Sequence, residues 1–120
     1  MGLIFPPTGG ASQLISVIEK TASAIISASD LYSTVEFQNG ANDWTYGVPL
    51  DASGDIPVGA SLAVSKTGSG ELLIQAAVGV TMRGPSGNTN YKLVGADGNF
   101  AFLQKTGANE WLVSGAVVGV

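Results

Sequence analysis

IPVGASLAVSKTGSGELLIQAAVGVTM, residues 56 to 82, holds two alternating apolar runs, Leu62 to Val64 and Leu72 to Ala76, joined by Lys66, Thr67, Gly68, Ser69 and Gly70. Apolar residues at every second position are the period of a strand with one wet face, and a short connection with two glycines supplies the positive φ a tight turn needs. The stretch therefore predicts a β-hairpin. Gly79 interrupts the return strand before Val80 and Met82, which predicts a bulge or a corner where the chain changes sheet.

Outward from this stretch the signals stay β. Val35 and Phe37 alternate with Thr34, Glu36 and Gln38, and a turn over Asn39 to Asn42 leads to Trp44, Tyr46 and Val48. Pro49 ends that strand and a polar loop, Asp51 to Asp55, follows. Arg83 to Asn90 (RGPSGNTN) reads as a loop. Tyr91 and Leu93 predict a second hairpin with Phe100, Phe102 and Leu103, turning at Asp97 and Gly98, and Thr106 to Asn109 turns into Trp111 to Val113. Residues 13 to 28 are ambiguous. Leu14, Ile18, Ala22 and Ile25 have helical spacing, while the β-branched residues Ile15, Val17, Ile18, Ile25 and Ile26 suit two short strands broken near Lys20 and Thr21. The pattern alone leaves these equal, and the all-β surroundings tip the reading to strands. Residues 1 to 12 read as an extended N-terminal arm, with Leu3, Ile4 and Phe5 as an apolar tip, Pro6 and Pro7 holding the backbone extended, and Gly9 and Gly10 loosening it. The expected architecture is that arm followed by one domain over 13 to 120, an antiparallel β-sandwich of jelly-roll character.

Composition narrows the function. Hydrophobic residues make up 45% of the 120, but charged residues only 12%, about half the roughly 25% usual for a soluble domain. A surface of Ser, Thr, Asn and Gly is one account of that deficit; burial against other copies or another protein is the other. Net charge is −4 and the predicted pI 4.4, and Lys20, Lys66, Arg83, Lys92 and Lys105 are scattered. Nucleic acid and anionic membrane, which need clustered cations, are therefore poor partners. The opening MGLIFPPTGG has no basic n-region, and its apolar run stops at Pro6, where a myristoylation signal wants Ser or Thr. That predicts a chain made in the cytosol and kept there until assembly.

The absence of His and Cys removes the common triads, thiolate catalysis and almost every zinc or copper site, and leaves the redox compartment open. Asp51 and Asp55 share a loop, and two acids can hold Ca²⁺ or cleave a glycoside; acids in a Gly and Ser loop more commonly cap turns and face water. Glu36, Asp43, Glu71, Asp97 and Glu110 read as solvated rim charges. Gly84 and Gly87 lack the Lys and the following helix of a phosphate loop. Trp44, Tyr46, Tyr91 and Trp111 could stack on sugars, but at strand-alternating positions they suit a core. No cofactor and no catalytic or metal residue is predicted.

Taken in order, DLYSTVEFQNGANDWTYGVP (30 to 49), IPVGASLAV, KTGSGELLI, AAVGVTMR, NYKLVG and FAFLQKTGANEWLVSG resemble a small β domain of bacteriophage virion proteins over roughly residues 30 to 115. That family carries a Pro-Val-Gly strand start, a Gly-x-Gly hairpin, a Gly-Val-Thr return and a final Asn-x-Trp-x-x-x-Gly strand. The resemblance implies a non-enzymatic structural role, in tail fibres or as a head decoration (cement) protein, commonly trimeric. The arm departs from the family pattern, and with no coiled-coil heptads and no long shaft the chain fits a separate decoration protein better than a fibre tip. The expectation is a homotrimer bound to the major capsid protein on the outer surface of the phage head, assembled in the host cytoplasm. Its interface would use the uncharged ends, Leu3, Ile4, Phe5, Pro6, Pro7, Val117, Val118 and Val120. The alternative is a tail fibre or spike component that binds host surface glycans through exposed aromatics or the loops 51 to 55 and 83 to 90.

Overall fold

The computed structural model describes residues 16–95 and 99–120. The predicted arm, with Leu3, Ile4, Phe5, Pro6 and Pro7, lies outside the described residues, as does the Asp97–Gly98 turn. Within them the chain forms twelve strands: β1 Val17–Lys20, β2 Ala24–Ile25, β3 Thr34–Phe37, β4 Trp44–Val48, β5 Ser61–Lys66, β6 Leu72–Ala76, β7 Thr81–Gly84, β8 Gly87–Asn88, β9 Tyr91–Leu93, β10 Phe100–Gly107, β11 Glu110–Gly115 and β12 Val117–Gly119. Short 3-10 turns occupy Ala28–Asp30 and Asp51–Ser53. The fold is all β, and the described part of the ambiguous segment, from residue 16, forms β1 and β2 with a break at 21–23, while residues 13 to 15 lie outside the described residues.

The strands make two mixed sheets, ordered β1-β3-β5-β10-β11-β7-β8 and β12-β9-β6-β4-β2. Side chains from both contribute to one hydrophobic cluster, including Phe37, Val64, Leu103 and Trp111 from the first sheet and Tyr46, Ile74 and Tyr91 from the second. Phe37 anchors it, meeting Tyr46 edge-on at 4.9 Å and Trp44 at 6.4 Å.

The expectation of antiparallel pairing is corrected here. Five of the ten ladders among the described residues run parallel: β1 with β3, β3 with β5, β2 with β4, β4 with β6, and β7 with β11. The two hairpins predicted around 62–76 and 91–103 are corrected with it. β5 lies in the seven-stranded sheet and β6 in the five-stranded one, and β10 and β9 are divided the same way. Each such pair is an arch, whose strands face each other through side chains instead of exchanging backbone hydrogen bonds. The arches β1/β2, β3/β4 and β5/β6 stack in that order, with Val35 opposite Val64 in one sheet and Tyr46 opposite Ile74 in the other. A parallel neighbour needs a long crossover, and here the crossover passes through the other sheet.

The glycines of the 66–70 turn serve this stacking. Gly70 N–H donates to the Gly40 carbonyl at 2.7 Å, and a Cβ on Gly70 would fall 2.0 Å from the Asn42 carbonyl oxygen. The two arcs touch backbone to backbone, which a side chain would prevent. Gly79, at φ +98, sits where the chain leaves β6 for β7 in the other sheet, so the predicted corner is present. The segment read as a loop, 83–90, instead closes as the hairpin β7/β8, with Arg83 opposite Asn88. β10 and β11 form the long antiparallel hairpin predicted from the Thr106–Asn109 turn, with Asn109 at φ 49.

Candidate interaction surfaces

Several charged side chains in this fold are engaged within the chain. Asp30 is fully buried; it accepts the Tyr46 hydroxyl at 2.7 Å and the Ser27 N–H at 3.3 Å, and Lys20 Nζ lies 3.0 Å from its other oxygen. Burial, then the hydrogen bond to Asp30 and its negative charge, raise the Tyr46 hydroxyl far above its ordinary value, so it remains a neutral donor. Lys105, buried at the inward end of β10, reaches Asp51 at 2.5 Å and the Gly107 carbonyl at 3.1 Å. Asp51 in turn accepts the Asn109 N–H at 3.0 Å, and its own N–H donates to the Asn109 side chain at 2.8 Å. The Lys105 hydrogen bond holds the Asp51 carboxyl below the usual range against an opposing effect of desolvation.

Asp51 therefore clamps the 51–53 turn to the β10–β11 turn and does not stand as a free loop acid. Glu71 and Glu110, read as rim charges, pair with Lys92 at 2.9 Å and Arg83 at 3.0 Å, and Asp43 accepts the Glu71 N–H. Lys66 donates to the Gly68 carbonyl at 3.0 Å. Each of the five basic side chains thus has an internal partner, and where two of them, Lys66 and Lys92, line one pocket, Glu71 lines it with them. Among the described residues no three His, Cys, Asp or Glu side chains stand together as a metal site.

The aromatics considered for sugar stacking are mostly core. Tyr46, Tyr91 and Trp111 are buried and Trp44 is half-buried. The Tyr91 hydroxyl accepts from the Ser86 N–H at 2.9 Å and donates to the Gly87 carbonyl, which pins the β7/β8 hairpin.

Beside scattered exposed residues such as Val17 and Val58, exposed apolar side chains among the described residues gather in three places. The first is the outer face of the seven-stranded sheet. Along β10 the inward positions are Ala101, Leu103 and Lys105, so Phe100 and Phe102 face out, stacked at 6.2 Å between centroids and 38% and 47% exposed. Phe102 and Leu112 border a groove of about 250 Å³ with Ser61, Gln104 and Ser114. The second is a groove of about 520 Å³ at the open end of the arches, where β4 and β6 finish. Its lining includes Ile25, Val48, Pro49, Leu50, Ala77 and Val78. The third is β12, at the rim of the five-stranded sheet. It carries Val118, 39% exposed, and is followed by Val120, whose N–H donates to the Asn90 carbonyl, while the half-buried Val117 packs against the core.

Of the predicted interface residues, Val118 and Val120 are exposed at this edge, while Val117 packs against the core. The Phe100–Phe102 face and the open-end groove were missed. Alternation in FAFLQK separates two faces but does not say that the one with the larger side chains is the outer one. No family model, no curated protein and no solved structure matches this chain.

Proposed function

We propose that the chain is a non-enzymatic virion structural protein: a capsid decoration protein that forms a homotrimer and binds the major capsid protein on the outside of the phage head. One observation carries this reading. Large apolar side chains stay exposed at Phe100 and Phe102, at the Ile25–Val78 groove and at Val118 and Val120, while all five basic side chains are engaged within the chain. Such surfaces favour burial against protein, at about 25 cal/mol per Å² of apolar area, and an interface of standard size offsets the association entropy. The family resemblance in the sequence supplies the virion setting. A β-sandwich is part of the proposal, supported by the single core that both sheets share. A jelly roll is wired by antiparallel neighbours, so the parallel ladders leave only its two-layer character in this reading.

Light scattering of the purified protein, full length and lacking residues 2 to 10, tests it. The full chain is expected at about three times the 12.1 kDa protomer mass and on purified heads in a pull-down, with truncation weakening both. A monomer that ignores heads and truncation alike removes the proposal.

The alternative, a tail fibre or spike component that binds host glycans, is supported by the exposed Phe100–Phe102 stack, an apolar platform of the kind sugar rings lie against. Binding of host surface polysaccharide that Phe102→Ala abolishes would favour it.

A further inference from the structure

The open-end groove and the root of the N-terminal segment lie at the same end of the fold. In a stack of arches the arcs occupy one end and the free strand ends the other. Ser16, just ahead of β1, is fixed at the free end: its carbonyl accepts the Thr34 N–H at 2.8 Å, and its hydroxyl lies 2.8 Å from that of Ser33. The groove opens where β2, β4 and β6 terminate, between Ile25, Val48, Leu50 and Val78.

Two chemical features match. The groove lining contains no charged side chain, and Ile25 and Val78 on its rim are 65% and 96% exposed. The sequence before Glu19 is also free of charge and carries Leu3, Ile4 and Phe5 in succession. The volume of about 520 Å³ falls in the range of sites that enclose several apolar side chains. Reach allows either a chain's own groove or a neighbour's. Residues 6 to 15 separate Phe5 from Ser16, and ten residues span up to about 33 Å. A chain's own groove lies about one sheet separation, roughly 10 Å, plus a strand or two from Ser16, which needs fewer residues. The fixed φ of Pro6 and Pro7 opposes the tight fold-back that a chain's own groove would need and so favours a groove on an adjoining subunit.

We propose that the groove between Ile25 and Val78 is the seat of Leu3, Ile4 and Phe5 from a neighbouring copy of this chain. The inference rests on the self-assembly proposed above and names where that assembly is locked. Each copy gives one segment and receives one, a head-to-tail contact that closes as a ring.

The chain has no cysteine, so engineered disulfides report directly. Phe5→Cys in one tagged population is mixed with Val78→Cys in another and mildly oxidised, with Phe102→Cys in place of Val78→Cys as the control. A disulfide between the two tags at Val78→Cys and not at Phe102→Cys is the expected result. Coupling to Phe102→Cys instead, or closure within one chain of a Phe5→Cys/Val78→Cys double variant, overturns the proposal. As a second measure, Ile25→Asp with Val78→Asp alters two exposed rim positions and should reduce the trimer to protomer mass. A trimer that survives both carboxylates and shows no Val78→Cys coupling defeats the groove while leaving self-assembly standing. A wild-type monomer defeats both.

Discussion

The half of the molecule built from β1 to β6 and the half built from β7 to β12 reach similar strands by different wiring. In the first, successive strands face each other across the core and successive arches stack in parallel. In the second, β7/β8 and β10/β11 are hairpins whose strands bond to each other. A hairpin turn only has to reverse the chain, whereas an arc must also stack on the next arc, and one glycine from each shows the difference. Gly87, which opens β8 after the hairpin turn, has φ +89 and nothing within 4 Å of where a methyl would stand, whereas a methyl on Gly70 would meet the Asn42 backbone at 2.0 Å.

Substitution should break that contrast open, and Gly70→Ala is expected to give the largest loss, about 3 kcal/mol in urea unfolding, because backbone and not a pliable side chain must move. Gly87→Ala should cost about 1 kcal/mol, the strain of a left-handed angle alone. Equal losses at the two sites would mean that the arcs do not stack as described.

The smallest effect concerns the clamp that joins the halves. Asp51 precedes the last arch and grips the β10–β11 turn through Lys105 and Asn109. In the fold its carboxyl titrates below the usual value, which is about 3.9 for an unfolded aspartate. Its contribution is therefore present above the unfolded value and lost as pH falls through the folded one. Asp51→Asn should melt below the wild type at pH 6, with the two melting temperatures converging as pH drops below about 4. Parallel melting curves across that range would show that the clamp contributes nothing through its charge.

Strand positions were legible because alternation is local. Val35 and Phe37, Tyr46 and Val48, and Leu62 and Val64 each mark an inward face wherever their strand is placed. Pairing was not legible, because KTGSG suits a hairpin and an arc equally; what distinguishes them is the approach of Gly40 and Asn42, from the preceding arch. The β10/β11 hairpin was legible because its turn and both strands are contiguous. The candidate surfaces were legible in part. Val117, Val118 and Val120 stood out as an uncharged run, while the exposure of Phe100 and Phe102 depends on Ala63 and Ser65 of β5 lying beside them, which only the register reveals.

The parallel ladder between β1 and β3 also has a mechanical meaning. Val17 to Lys20 pair with Thr34 to Phe37 along their full length, and the chain enters β1 through Ser16 at its free end. Tension arriving through the N-terminal segment pulls along β1, so the ladder bonds are sheared together and not peeled one after another. A subunit tethered by that segment would resist detachment under load at the strand that joins it to the rest of the sheet.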